Sequence, residues 1–466
     1  MAKNKKMKKI NQISKIIFSI FLFLSIITIG ILFYLKILPI QYFSVILIGY
    51  IIILLLFAYG LLNKKVKSNK KIIFNIICII FVICFIFILY YLNSTMQFMD
   101  KIKSKGYQIE TYYLIGHNSN QNIKTVGVYK TDNLEEALKQ IDGFSIQEYS
   151  NIKTMTNLFI KNQIDGLFVN EGTLEILKEE QNFDYQIIKT VSIKIKTKVD
   201  SNDVDVTKQS FSIYISGIDV KGSISSVSRS DVNMIMTVNP KTNKILLTSI
   251  PRDYYVQLHG TTGYKDKLTH AGLYGINMSI QTIEDLLNMN INYYIRVNFT
   301  TLIDVVDAIG GITIYSDKAF TAYTDRSCSF KVGNNTVDGK CALAFSRERY
   351  AYQEGDRHRV KNQQTVLIAM IHKLTSSKTL LTKYNQILNT LSDSFETNIS
   401  SNRIYSLINK QLDSMPNWNI ETFSLDGSNS FNYTYSYSAS KLYVMEPDTS
   451  TIEQAKIKIK EVGEVS

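Results

Sequence analysis

Three long runs without a charged residue open the chain, at positions 16–35, 37–63 and 72–99. Each supplies the ~20 apolar residues that a helix needs to span a bilayer core. Three such runs, with no small-residue cleavage site after the first, read as a membrane anchor rather than a cleaved signal peptide. No acid or base interrupts them, which argues against a transporter or proton pump. Lys3, Lys5, Lys6, Lys8, Lys9 and Lys15 precede the first run. Lys64, Lys65, Lys67, Lys70 and Lys71 separate the second from the third, and only Lys36 lies between the first and second. The positive-inside rule predicts a cytoplasmic N-terminus, three crossings, and an exterior location for everything after about residue 95.

Beyond residue 100 the pattern changes to short runs. Residues 124–129, 165–169 and 186–196 read as strands, the last by strict alternation. Residues 133–141, 154–163 and 172–180 have helical period. Together they predict a small α/β accessory module over 100–198, with no cluster of catalytic residue types. From 203 to 466 a second α/β region follows. Strands are expected at 211–218, 231–238, 244–250, 293–298 and 312–315, and helices at 276–288, 301–309 and 360–374. The composition of 239–243 suits a turn, and Gly310-Gly311 suits a helix C-terminus. Strands alternating with helices predict a layered α/β domain, with its core over 211–375. The segment 426–440, rich in Ser, Tyr, Asn and Gly, is expected to be a loop. The expected blocks are a 1–99 anchor, a 100–198 accessory domain and a 203–466 main domain.

Charge matters once the chain is split. Of 52 basic residues, 12 are lysines before residue 100, where no acid occurs. That leaves 40 basic against 40 acidic residues in the exterior part, a net of zero. The overall pI near 9.1 therefore reflects lysines flanking membrane runs. No nucleic-acid partner is expected. With 45% hydrophobic and 20% charged residues, the chain is not a disordered one. Cys78 and Cys84 lie in the third run and read as inert apolar residues. Cys328 and Cys341 are a candidate disulfide in an oxidising exterior, closing a short loop with a stabilisation of roughly 3 kcal/mol. No Cys/His spacing suggests zinc.

Three clusters carry candidate chemistry. Ser216-Gly217-Ile218-Asp219 ends one predicted strand. Arg229-Ser230-Asp231 starts the next, and Ile250-Pro251-Arg252-Asp253 ends the third. In open α/β sheets, sites form at strand ends. Two carboxylates with few histidines suit a hard cation such as Mg²⁺, bound partly through substrate oxygens. The densest cluster is Ser346-Arg347-Glu348-Arg349-Tyr350, then Gly355-Asp356-Arg357-His358-Arg359 and Gln363. Judged alone, such a run reads as a solvated face with Glu348, Glu354 and Asp356 as neutralising partners. Arginine in a region otherwise rich in lysine points instead to forked recognition of phosphate oxygens. An exterior, membrane-anchored domain with clustered Arg and paired Asp suggests a phosphorylated lipid substrate whose bond energy is already stored. No Walker loop, HExxH or GxSxG is present.

At these residues the chain strongly resembles the LytR–CpsA–Psr family of bacterial cell-envelope phosphotransferases. The matching stretches begin with Arg229-Ser230-Asp231, Val238-Asn239-Pro240-Lys241-Thr242 and Ser249-Ile250-Pro251-Arg252-Asp253-Tyr254. Asp266-Lys267-Leu268-Thr269-His270-Ala271 and Val305-Val306-Asp307-Ala308-Ile309-Gly310-Gly311-Ile312 follow. The Arg347 and Arg357 stretches through Gln363 complete the set. The three-span anchor and preceding module resemble the capsule-associated branch with an accessory domain. The resemblance implies a central mixed sheet and transfer of a glycopolymer from undecaprenyl diphosphate to the C6 hydroxyl of peptidoglycan N-acetylmuramic acid. It implies Mg²⁺ (or Mn²⁺) on Asp219 and Asp231, either of which would be the proton acceptor. Arg252, Arg347, Arg349 and Arg359 would grip the pyrophosphate, lined by Arg229, Arg357 and Gln363, with Lys267 reaching the phosphates. Asp356 would hold one of these arginines or approach the metal. Apolar residues around 295–312 and 366–371 are candidates for a polyprenyl groove, and core packing explains them equally well. Expected partners are the lipid-linked glycopolymer, peptidoglycan, the membrane and envelope polymer-export machinery. Two alternatives stay open: a polyprenyl-pyrophosphate phosphatase using water as acceptor, and a non-catalytic envelope sensor or transcription attenuator.

Overall fold

The computed structural model describes residues 2–35, 38, 40–103, 105–118, 122–180, 183–197, 202–218, 224–376 and 395–464. They fall into two compact units. The first holds three helices long and apolar enough to cross a membrane: α1 (Ala2–Leu35), α2 (Ile40–Phe57) and α3 (Ser68–Ile102). A wider turn, Ala58–Leu62, extends α2. Aromatic side chains fill the seam, with Phe21 edge-on to Phe57 at 5.1 Å. Polar residues inside the bundle pair with one another, as buried groups must. Lys71 Nζ donates to Asn11 at 2.6 Å, and Asn75 donates to Ser14 at 3.0 Å. The amphipathic helix Ser401–Ser414 belongs to this unit.

The second unit is framed by two sheets. The first contains β1 (Tyr107–Gly116), β2 (Thr125–Tyr129), β3 (Ser145–Tyr149), β4 (Gly166–Asn170) and β5 (Gln186–Lys196), in the order β3–β2–β4–β1–β5. Helices α4 (Leu134–Leu138), α5 (Ile152–Ile160) and α6 (Glu171–Glu180) connect them. β1 alternates buried and half-exposed residues over most of its length. Its pattern was legible in the sequence, yet it lies outside the strands expected above. The expected helix 133–141 is shorter, because Gln140 and Ile141 bond to Ala137 and Leu138 and tighten the last turn.

The strands of the second sheet are β6 (Phe211–Ile218), β7 (Ser230–Asn239), β8 (Lys244–Ile250), β11 (Tyr293–Asn298), β16 (Phe395–Thr397) and β17 (Asn419–Ser424). The sheet is mixed, in the order β16–β11–β6–β7–β8–β17. Short ribbons surround it: β9 (Tyr255–Val256) with β10 (Asp266–Lys267), β12 (Ile312–Ser316) with β15 (Gly333–Val337), and β13 (Phe320–Thr321) with β14 (Ser329–Phe330). Its helices include α7 (Leu268–Ala271), α8 (Ile276–Leu287), α9 (Phe299–Ala308), α10 (Gly339–Arg347) and α11 (Asp356–Thr375). Core side chains of β6, β7 and β8 pack against α8 and the C-terminal helix Thr449–Glu464 through Tyr214, Ile235, Leu246, Ile280, Ile283 and Ile459. The architecture is α/β, as the alternation of elements predicts.

One expectation is corrected here. Residues 426–440 are not all loop: β18 (Gly427–Asn432) pairs with β19 (Leu442–Pro447). Both faces of this ribbon strand are exposed or half-buried, so polar Ser and Asn conceal its period. Cys328 and Cys341 are joined by a disulfide with Cα atoms 5.3 Å apart.

Candidate active site

The register of the second sheet explains the first contacts of the site. β7 and β8 are antiparallel, with Asn233 opposite Ile250. Continuing that register beyond the end of β8 sets Asp231, inside β7, opposite Arg252. Arg252 Nη1 donates to Asp231 Oδ1 at 3.2 Å, and the Thr269 hydroxyl donates to the same oxygen at 3.3 Å. Asp253 lies 3.4 Å from Arg252 Nε through one oxygen and 3.7 Å from Lys267 Nζ through the other. Thus the Asp266–Thr269 stretch braces the strand ends. Asp266 is fully buried and pairs with His270 Nδ1 at 2.7 Å.

Two helix ends supply the remaining arginines. Asp338 caps α10 by accepting from Cys341 N, and α10 ends at Arg347, whose guanidinium sits 4.7 Å over the Phe299 ring. Glu348 follows and is 1% exposed. It accepts the backbone N–H of Tyr323 at 2.6 Å, Tyr350 at 2.7 Å and Ala351 at 3.0 Å. Glu348 therefore ties the loop backbone instead of neutralising the arginines on a solvated face. Arg349 donates to the Tyr350 hydroxyl at 3.0 Å. Gly355, at φ +56°, turns the chain into α11. Arg359 lies one turn into α11 and pairs with Asp356 at 2.8 Å. Gln363 is four residues further along, on the same face.

These residues enclose a cleft of about 260 Å³ lined by Arg229, Asp231, Arg252, Phe299, Tyr323, Thr324, Arg347, Arg349, Tyr350, Arg359 and Gln363. Five guanidiniums and one carboxylate line it, while Glu175, Asp253 and Asp356 pair with Arg229, Arg252 and Arg359 beside it. Burial holds Arg359 below its ordinary value, and Arg252 and Arg349 add to that effect while Asp356 and Asp231 oppose it. Such a cluster of guanidinium forks attracts a polyanion.

Two expected residues lie elsewhere. Lys267 is buried, pairs with Asp253, and is absent from the cleft lining. Arg357 turns away to Asp426 at 2.7 Å and the Gly427 carbonyl at 2.6 Å. Asp219 lies outside the described residues. Among the described residues no group of three His, Cys, Asp or Glu side chains gathers to hold a metal ion. The structure also adds residues that sequence patterns did not single out. Phe299 and Tyr323 form cleft walls, and Glu175 of α6 reaches Arg229 Nε at 2.9 Å. Burial pushes the Glu175 carboxyl above the usual carboxylate range, opposed by Arg229 and reinforced by Glu171 and Asp231.

The model of the LytR_cpsA_psr family matches residues 178–453. The chain is 37% identical over 218 residues to the polyisoprenyl-teichoic acid–peptidoglycan teichoic acid transferase TagU of Bacillus mycoides strain KBAB4, spanning 46% of this chain and 69% of that one. It is 34% identical over 246 residues to the protein of the same name from Bacillus anthracis strain CDC 684, spanning 50% and 79%. Among solved structures it is similar to B. subtilis TagV, with a TM-score of 0.47 and 29% identity over 56% of this chain and 99% of that one.

Proposed function

The chain belongs to the LytR–CpsA–Psr family, and from that premise we propose that it moves a glycopolymer from undecaprenyl diphosphate to the C6 hydroxyl of peptidoglycan N-acetylmuramic acid. The observation that carries this reading is the cleft in which five arginines face a single aspartate. Guanidinium forks match phosphate oxygens bidentately, and a diphosphate presents several such oxygens. The names of the TagU relatives support a polyisoprenyl-linked donor and a peptidoglycan acceptor. In this reading the three apolar helices hold the chain in the membrane with the active domain outside, as the lysine distribution favours. The module over 107–196 is then the accessory domain of the capsule-associated branch.

The acceptor oxygen forms a bond to the phosphorus next to the sugar, and the bond from that phosphorus to the bridging oxygen breaks. Undecaprenyl phosphate leaves with the electron pair. The arginines hold the diphosphate and stabilise charge on the leaving oxygen, so positioning and electrostatics supply the rate. In this reading Asp219 or Asp231 accepts the hydroxyl proton, and Arg252 and Thr269, both donating to Oδ1 of Asp231, fix the orientation of that carboxylate.

A divalent cation fits this donor set. Mg²⁺ is commonly held by one or two carboxylates together with substrate phosphates, and Asp231 lines the cleft as a hard oxygen donor. Asp231 would hold the ion, with Asp219 as its candidate partner. The ion would supply charge neutralisation on the phosphates.

The test is direct. Purified full-length protein, Mg²⁺, a lipid-diphosphate-linked glycan and peptidoglycan oligomers are combined, and mass spectrometry follows a glycan–phosphate–muramyl product. The product is expected, and is expected to vanish in Arg347→Ala. Released glycan phosphate without the linkage would instead establish a phosphatase, and no turnover of any donor would support a binding protein.

A further inference from the structure

A second and larger cavity, of about 550 Å³, opens between the first sheet and the region around α8. Its size is that of a small-molecule site. Its charged lining residues are Glu110, Asp132, Lys130 and Lys196, so its formal charge sums to zero. Glu110 is 5% exposed. Asn133 and Asn170 donate to its two oxygens at 3.0 and 2.7 Å, and no ion pair reaches it among the described residues. A carboxylate oriented by neutral amides keeps acceptor capacity for further O–H donors. Gln108, 2% exposed, accepts from Ile276 N at 3.1 Å, which fixes the direction of its amide. Gly275, at φ +97°, makes this fit, since a Cβ there would lie 2.8 Å from the Gln108 oxygen. Towards solvent, Tyr274 and Tyr435 are 40% and 44% exposed, with ring centroids 5.9 Å apart. Fixed planar polar groups beside two partly exposed tyrosine rings, packed edge-to-face at 61°, suit a ligand that is rich in hydroxyls and has one apolar ring face.

The cavity adjoins the arginine cleft. Val227 lines the cavity and Arg229 the cleft, two residues apart, at most about 7 Å along the chain. On α6, Thr173 and Ile176 line the cavity while Glu175 holds Arg229.

We propose that this cavity is a saccharide subsite. It takes uncharged, hydroxyl-rich sugar units of the glycan whose phosphate chemistry occurs in the cleft, and in that respect it rests on the function proposed above. The sugars belong either to the acceptor strand or to the donor polymer.

Full-length protein in detergent micelles is titrated with chitotetraose, maltotetraose and inorganic pyrophosphate, followed by saturation-transfer NMR and calorimetry. At least one tetrasaccharide is expected to bind. Chitotetraose would indicate an N-acetylated wall backbone, and maltotetraose a hexose polymer. Tyr435→Ala, a change at an exposed ring, is expected to weaken saccharide binding about tenfold through loss of one aromatic face. Asn170→Ala is expected to do the same, with unchanged melting curves showing that both variants fold. Absence of saccharide binding, insensitivity to both variants, or displacement of the saccharide by pyrophosphate would each overturn the proposal. In Arg347→Ala, pyrophosphate binding is expected to fall while saccharide binding persists. Wild-type protein that binds saccharide but no pyrophosphate would count against the cleft reading alone.

Discussion

The two cavities sit either side of residues 227–229, and they are built on opposite principles. The cleft gathers five guanidiniums around Asp231, with Glu175, Asp253 and Asp356 pairing Arg229, Arg252 and Arg359 at its edge. The neighbouring cavity balances two acids against two amines and orients its buried carboxylate with neutral amides. The means of support differ accordingly. Cleft arginines are held by ring contact, ion pairs and helix ends, and the cavity by side-chain amides and a glycine turn. Adjacent sites of such unlike electrostatics suit the two parts of the proposed substrate, phosphate in one and sugar in the other.

The strongest way to break this contrast is to remove a guanidinium. Arg347→Ala and Arg359→Ala are each expected to lower transfer about 10²–10³-fold, the loss typical of one transition-state donor, with little change in melting temperature. Arg357→Ala, whose guanidinium faces Asp426 outside the cleft, is expected to lose far less. Single-turnover product formation with each variant checks the ranking, and equal losses would erase the distinction between cleft and surface arginines.

Much of the cleft could be read from the sequence because it is built on strand ends and short motifs. The alternation in 211–218 and the turn composition of 239–243 between two expected strands predict β6, β7 and β8, and the antiparallel register then puts Asp231 against Arg252. Other parts could not be read so. Lys267 and Arg357 stand in the same motifs as the cleft arginines, yet their carboxylate partners, Asp253 and Asp426, decide where they point. Glu348 resembles a surface counter-ion until its three backbone donors are seen. Glu175 and the neutral cavity depend on tertiary packing between two separate sheets, and no local pattern announces such an interface.

Support of the cleft is the next target. Glu348→Ala leaves three backbone N–H groups without their acceptor in a buried site. A cost of about 2–4 kcal/mol is expected, or a fall of roughly 5–10 °C in melting temperature for a domain of this size. Transfer should also fall about tenfold or more as Arg347 and Arg349 lose their fixed geometry. Glu348→Gln, which keeps one acceptor oxygen, should lie between. Calorimetry and transfer assays on both variants test this, and an unchanged melting curve would remove Glu348 from the support.

Salt separates the two cavities with no mutation. Between about 0.05 and 0.5 M NaCl the Debye length falls from roughly 14 to 4 Å. Pyrophosphate binding to the arginine cleft should weaken several-fold over that range. Tetrasaccharide binding, with no net charge on either side, should change less than about twofold. Calorimetric titrations at four salt concentrations would show it, and parallel slopes would mean that both ligands enter the same charged site.

The smallest effect concerns Glu175, which lies on the helix shared by the two cavities. Its carboxylate is 2.9 Å from Arg229 Nε and competes with any anion for that guanidinium. Burial raises its pKa, with Arg229 opposing the rise. A raised carboxylic acid takes up its proton above the usual carboxylate range, so on acidification it becomes neutral before exposed glutamates do. Below that point Arg229 keeps its charge and loses its competitor, and the cleft should hold pyrophosphate more tightly. Above it the ion pair is restored and binding should weaken. Pyrophosphate also titrates, so the useful quantity is the ratio of wild-type to Glu175→Gln affinity at each pH. In the variant the competitor is absent throughout. The ratio should approach one at acid pH and fall to about one-half to one-fifth at pH 8, the scale of a partly exposed ion pair. A ratio flat across pH would show that Glu175 does not restrain Arg229 and that α6 leaves the charge of the cleft untouched.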